Sequence, residues 1–320
     1  MTAISDFTSA LAPIIGAAPK DICPQTNVSS ALSKIIFSLP DRPKRARIVL
    51  TEEDFPTCGF VLKQLERLGY QLDFIEGGEC LADPDYWCEK IKDDVHLVLA
   101  TQVYSNTNIL APVREIASIA RDVGAFSIID AAQSVGVAPL RLGEWKPDFA
   151  IGTCLKYLCG GPGAAFLWAD QDTADDCAPF DTGWFSHARP FEFDIHRFEY
   201  ADGAGRYLGG TPSIAPFAGA IAGLREVQAI GVEEIYAHSQ NLLGLLSQQI
   251  PDAAFLSHTK SGERGAGAII RVRDFEAATR RLKEAGISHD SRLGGIRISF
   301  HLYNDKRDVA ALSEAISACL

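Results

Sequence analysis

Two stretches decide how this 320-residue chain is read: SIIDAAQSVG at 127–136 and DFAIGTCLKYLCGGPG at 148–163. Each begins as a short apolar run of strand length and then breaks into a polar, glycine-bearing turn. The first run ends in Asp130, and the second leads to Lys156, 26 positions later. An acid closing one buried strand and a lysine just past another place both side chains at the carboxyl edge of a parallel sheet, where open α/β folds keep their ligands. Taken singly, each residue has a plain reading: an Asp at a strand end caps a helix, and a loop Lys is solvated. The ordered pair, followed by Gly160-Gly161-Pro162-Gly163, is far more specific.

That pair is what pyridoxal phosphate (PLP) requires. A lysine holds the aldehyde as a Schiff base, and a carboxylate keeps the pyridine nitrogen protonated so that the ring can absorb electrons. Lys156 is therefore the candidate catalytic residue and Asp130 the candidate ring partner.

Outward from these motifs, strand-length runs alternate with helical periodicity, the pattern of a largely parallel sheet wrapped by helices. Strands are expected at Arg47–Leu50, Gln71–Ile75, His96–Ala100, Ala125–Ile129, Asp148–Ile151 and Ala164–Trp168. Helices are expected at Asn27–Ser38, Gly59–Leu68 and Pro112–Val123. Residues 177–212, rich in Phe, Gly, Pro and Asp, have no sustained period and read as a long ordered loop of the kind that usually serves function. Helical periodicity returns over Pro212–Leu246. Then follow a strand at Ala268–Val272, a helix at Phe275–Ala285, a strand at Ile296–Phe300 and a helix at Lys306–Ile316. The fold expected is α/β: a large, mainly parallel domain over 1–225 and a smaller α+β domain over 226–320.

Composition sets the outer bounds. With 47% hydrophobic and 22% charged residues the chain can bury a sizeable core. A formal net charge of −11 gives no basic surface for nucleic acid or anionic membranes, so a small-molecule substrate is expected. The opening MTAISDFTSALAPIIG lacks a basic segment followed by an apolar stretch, and no run of about 18 apolar residues occurs, so a cytoplasmic protein is expected. Eight cysteines, at 23, 58, 80, 88, 154, 159, 177 and 319, form no CxxC pair or zinc-like cluster, so reduced thiols and no metal are expected.

The sequence resembles the class V branch of PLP enzymes of fold type I, the aspartate-aminotransferase-like fold, and within it the kynureninases, over nearly the whole chain. Asp130-Ala131-Ala132-Gln133-Ser134 is similar to their Asp-Leu-Ala-His-Ser, and Lys156-Tyr157-Leu158-Cys159-Gly160-Gly161-Pro162-Gly163 to their Lys-Tyr-Leu-Asn-Gly-Gly-Pro-Gly. Gly183–Asp194, Gly210–Ile214 and Gly295–Asn304 also resemble kynureninase segments. The resemblance implies that Gln25 and Thr26 serve the cofactor phosphate, that Phe55 stacks on the ring and that Gln133 stands where kynureninases have His. It further implies that Trp184 and Thr211 reach the phosphate from a neighbouring subunit of a homodimer, and that Arg297 clamps the α-carboxylate of an amino acid substrate. Each role suits the residue type. Plain readings stand beside two of them: Thr26 as a helix N-cap, and Phe55 as a core phenylalanine.

Departures from the pattern bear on the reaction. Leu155 replaces a Tyr directly before the lysine, Cys58 replaces an Asp three positions after Phe55, and Ser105 or Asn106 replaces the group near the cofactor's phenolic oxygen. The resemblance implies that the N-terminal segment covering the substrate in kynureninases is expected to be missing. A cysteine desulfurase is disfavoured because no Cys lies between Ser257 and Ser299. Transamination or a related lyase reaction needs only Lys156, Asp130 and Arg297. Kynureninase-type C–C hydrolysis is the alternative, and a catalytically inactive PLP-fold binding protein is the second alternative.

Overall fold

The computed structural model describes residues 2–42 and 45–320. Among the described residues the strands run β1 to β10 in chain order. The main sheet contains β1 (Ile22–Gln25), β2 (Arg47–Thr51), β3 (Gln71–Ile75), β4 (Val95–Thr101), β5 (Phe126–Asp130), β6 (Phe149–Thr153) and β7 (Ala165–Ala169). Their order across it is β1-β7-β6-β5-β4-β2-β3. Strands β2 to β6 pair parallel, while β7 runs antiparallel to both β6 and β1. All six strands expected in this half are present, with ends displaced by at most two residues. β1 was not anticipated: it is four residues long, contains Pro24 and lies at the sheet's edge, where a missing N–H is tolerated.

The central strands of the sheet are buried on both faces, and alternation along them divides the core. Val98, Ala100 and Ile129 belong to one cluster, which Phe7 and Leu11 of the helix Thr2–Leu11 and Phe217 of the helix Ala215–Ile230 also join. Leu97, Leu99 and Ile128 belong to the other, with Leu32 and Ile35 of the helix Val28–Ile36 and Cys58 and Leu62 of the helix Pro56–Leu62. Strands covered on both faces read as near-continuous apolar runs, the feature that made them visible in the sequence.

A second sheet is formed by β8 (Gly267–Ile270), β9 (Asp290–Arg292) and β10 (Gly295–Ser299), antiparallel in the order β8-β10-β9. It carries a separate apolar cluster that includes Leu243 and Leu246 from the helix Val232–Gln249 and Leu312 and Ile316 from the helix Lys306–Ser317. Between the sheets, residues 177–212 hold only two short 3-10 turns, Trp184–Ser186 and Gly203–Tyr207, in agreement with the expected ordered loop. Among the described residues no helix is long and apolar enough to cross a membrane.

Candidate active site

Four parallel strands deliver the site. β2 runs into Asp54 and Phe55, β4 into Tyr104 and Ser105, β5 ends on Asp130, and the turn after β6 carries Lys156. All four exits lie at the carboxyl edge of the sheet, where the paired motifs predicted a ligand site.

Asp130 is buried. Its Oδ1 accepts from the Ala132 backbone N–H at 2.8 Å, and its Oδ2 has the Cys58 thiol as donor at 3.5 Å. Burial pushes the carboxyl pKa up, opposed by the Ala132 bond and by the positive charge of Lys156. A buried carboxylate oxygen with only a long thiol contact retains capacity for a stronger donor.

Lys156 sits on a tight connection between β6 and β7, closed by the Cys154 N–H to Ala164 O bond at 2.9 Å and the Gly160 N–H to Cys154 O bond at 2.7 Å. Gly160 is required there, because a Cβ would come within 2.7 Å of the Cβ atoms of both Ala220 and Cys154. Desolvation by the cavity walls lowers the Lys156 pKa; Asp130 opposes this, and the charges of Arg297 and Arg292 add to it. A lowered lysine pKa in a cleft suits an amine that must be uncharged to react. Its Nζ lies 6.0 Å from the Phe55 ring centroid. Phe55 is 50% exposed, which corrects its plain reading as a core residue.

Lys156 shares a cavity of about 550 Å³ with Gln133, Ser105, Asn108, Asp290 and Arg297. Arg297 enters from β10, donating through Nη2 to Asp290 Oδ2 at 2.6 Å and through Nη1 to the Ser105 carbonyl at 3.5 Å. Asp290 is also paired with Arg292 at 3.2 Å.

The residues assigned to the phosphate fall into two places. Trp184 Nε1 donates to Thr211 Oγ1 at 3.3 Å, so the long loop brings this pair together, with Trp184 40% exposed. Gln25 is buried on β1, where its amide N–H donates to the Tyr207 carbonyl at 3.1 Å. Thr26 is exposed and donates to Ser30 Oγ at 3.4 Å. It is not the helix N-cap: Asn27 is, accepting from the Ser30 N–H at 2.8 Å, which corrects the capping reading of Thr26. Sequence reasoning did not single out Asp54, Tyr104, Asp290 or Arg292. Asp54 alone carried a signal, a carboxylate directly before Phe55.

The family description Aminotransferase class-V matches residues 1–312. The chain belongs to this family. An uncharacterized aminotransferase YcbU of Bacillus subtilis (strain 168) is 27% identical over 309 residues, covering 96% of this chain and 81% of that protein. A kynureninase of Deinococcus radiodurans is 30% identical over 321 residues, covering 97% and 76%. Among solved structures, the cystine C-S lyase C-DES in complex with its product cysteine persulfide superposes with a TM-score of 0.88 at 20% identity, covering 99% of this chain and 87% of that one.

The fold is therefore PLP fold type I, and the protein is a PLP-dependent class V enzyme. The residues present fit the cofactor. Asp130 keeps an under-partnered buried oxygen, Phe55 a half-exposed ring face, and Lys156 an amine 6.0 Å from that ring, groups suited to a protonated ring nitrogen, an aromatic ring and an aldehyde.

Proposed function

We propose that this class V enzyme takes an amino acid substrate and catalyses transamination or a related lyase reaction, with Lys156 both carrying PLP and moving the proton at the substrate Cα. The reading rests chiefly on the convergence of Lys156 and Arg297 on one cavity beside the buried Asp130. PLP supplies an electron sink for the bond broken at Cα. With the cofactor bound, Asp130 would hold the proton of the ring nitrogen, Phe55 would cover a ring face, and Gln133 would contact the ring. Gln25, Thr26, Trp184 and Thr211 serve the phosphate. Arg297 binds the α-carboxylate through the planar fork of its guanidinium, which orients Cα toward Lys156. Desolvation lowers the Lys156 pKa from its ordinary value, which favours the uncharged amine that can accept a proton.

The same reading takes the chain as cytoplasmic, divided near residue 225 into a PLP-binding domain and a smaller domain that bears Arg297. It works as a homodimer, with Trp184 and Thr211 offered to the partner's site.

Kynureninase-type hydrolysis is the second reading, favoured by the 30% identity to a kynureninase. Against it, Leu155 presents an aliphatic surface beside Lys156, and the pKa of the Cys58 thiol is raised well above its ordinary value, so it stays neutral. Product analysis decides between them: the PLP-loaded protein is incubated with kynurenine and, separately, with amino donors and a keto acid. New amino acid in the second mixture supports the proposal, and anthranilate in the first supports hydrolysis. Lys156→Ala that still yields borohydride-fixed PLP on the chain would remove the assignment of the lysine. Bound PLP whose absorbance ignores every amino acid tried would leave the inactive binding protein.

A further inference from the structure

Close to Asp130 lies a second buried acid that the reading above does not use. Asp54 follows β2, is 9% exposed, and has both oxygens engaged: Oδ1 accepts from Thr101 Oγ1 at 2.6 Å and Oδ2 from the Thr51 backbone N–H at 2.7 Å. Thr101 is the last residue of β4 and the register partner of Asp130 on β5, so one hydroxyl links Asp54 to the strand end that carries the ring partner. Cys58, which donates to Asp130, feels the charges of both acids and of Lys156. On the remaining side stands Tyr104, fully buried, its hydroxyl without a hydrogen-bond partner in the described structure.

We propose that Asp54 is a positioning residue that acts through Asp130, determining how much negative charge faces Lys156 and the cofactor bound there. The proposal rests on the PLP reading and extends it to a residue that does not touch the ring.

The charged and titratable groups around Asp54 are few. From β2 and its exit come Asp54 itself and Glu53, whose pKa is raised by burial and moderated by bonds to Thr107 and Gly78. The helix after β2 contributes Cys58, and the segment after β4 contributes Tyr104; burial pushes both far up, so both stay neutral at ordinary pH. β5 contributes Asp130 and the β6–β7 connection Lys156. Burial pushes Asp54 up to about 7, with the Thr101 and Thr51 bonds opposing and the Asp130 charge adding to it. Two carboxyls in one desolvated volume disfavour joint ionisation. With Asp130 ionised, Asp54 keeps its proton at mildly acidic pH and releases it as pH rises past neutrality. Its release would add a negative charge near Asp130 and Lys156 and would favour the protonated form of a cofactor linkage held by that lysine.

The test is an absorbance titration of the bound cofactor between pH 5.5 and 9.5, in the PLP-loaded wild type, Asp54→Asn and Thr101→Val. Asn keeps the shape and hydrogen-bonding capacity of Asp54, since the Thr101 hydroxyl can turn to accept. The wild type is expected to show a spectral component near neutral pH that Asp54→Asn lacks, and the linkage of that variant should lose its proton at lower pH. Thr101→Val removes a bond that favours ionised Asp54, so its component should move to higher pH. A merely structural role for Asp54 would change PLP content or stability but would not move these midpoints. Superimposable curves for wild type and Asp54→Asn at full PLP content would overturn the proposal. If Asp54→Asn fails to hold PLP, an unmoved component in Thr101→Val overturns it instead. A wild type that traps no borohydride-fixed PLP on Lys156 would remove the underlying reading, which the spectra of a trapped cofactor would leave intact.

Discussion

Arg297 and Asp290 are direct cross-strand partners on β10 and β9, and their side chains meet at 2.6 Å inside the cavity that holds Lys156. The arginine assigned to the substrate carboxylate is thus already paired with a carboxylate of the chain itself. Asp290 is 48% exposed at the side chain, so this contact is of the surface kind, worth about 0–1 kcal/mol, and does not outbid a well-oriented substrate. It fixes the direction of the guanidinium before substrate arrives.

Replacing Arg297 by Lys keeps the charge and removes the fork. Hydrogen bonds to charged groups contribute about 1.5–3 kcal/mol, so Arg297→Lys should raise KM for the amino acid by roughly 10–100-fold, with a smaller effect on kcat. Steady-state kinetics on the best substrate measures the split. An unchanged KM would move the carboxylate site elsewhere, with Arg292 the nearest alternative.

Around Trp184 the loop exposes a run of apolar side chains: Phe191 at 64%, Phe193 at 76% and Ile195 at 92%. Trp184 packs against Phe185, Phe191 and Phe193 with ring centroids 4.5, 5.6 and 6.0 Å away. An apolar surface bearing two assigned phosphate ligands is expected to meet a second copy of the chain. If the sites are shared, co-expressed Lys156→Ala and Thr211→Ala chains should form mixed dimers with one intact site, and activity absent from the first parent and weakened in the second should reappear. No gain over the parents, or an active monomer by sedimentation, would place the phosphate ligands within one chain.

What was legible in the sequence follows from where the physics is local. β4, β5 and β6 announce themselves because both faces are buried, and Asp130 and Lys156 because each ends such a run. β9 was missed: Asp290-Ser291-Arg292 is three polar residues with no alternation to read, held in the sheet only by pairing with β10. Asp290 and Arg292 were lost with it. Thr26 and Asn27 are both good N-caps, and only the backbone shows which one accepts the Ser30 N–H. Asp54 follows Glu52 and Glu53 in sequence, and its burial depends on β4 and β5, supplied by residues about 50 to 80 positions away.

Leu155 makes a prediction about kynurenine. Its side chain is 53% exposed immediately before Lys156, where kynureninases resemble this chain except for a tyrosine. A positioned acid or base contributes about 10²–10⁴-fold, so anthranilate release should fall that far below the common enzyme median of about 10 s⁻¹. Leu155→Tyr should raise it by about tenfold or more while leaving PLP bound. Rapid anthranilate release by the wild type, detected by its fluorescence, would restore the hydrolase reading.

His96 and Asp54 should pull stability in opposite directions over the same pH range. His96 is buried on β4 between Tyr70 and Phe126, with ring centroids 4.6 and 5.6 Å away and no partner for Nδ1 among the described residues. Burial, aided by the Arg42 charge, pulls its pKa from 6.5 to about 4. Between these values the unfolded chain binds a proton that the folded chain refuses, so the His96 contribution is full above pH 6.5 and is lost as pH falls toward 4. Asp54 is the reverse case: its folded value of about 7 exceeds the ordinary 3.8, so its contribution is full below 3.8 and is lost as pH rises to 7. The wild-type curve between pH 4 and 7 sums the two slopes. His96→Leu keeps an apolar side chain of similar size and removes the first, so urea midpoints of this variant should gain on the wild type as pH is lowered from 6.5 to 4. Asp54→Asn removes the second and should gain as pH is raised from 4 to 7. Urea titrations of the cofactor-free protein at half-unit steps measure both, and variant curves that run parallel to the wild type would show that neither group has a perturbed pKa in the folded chain.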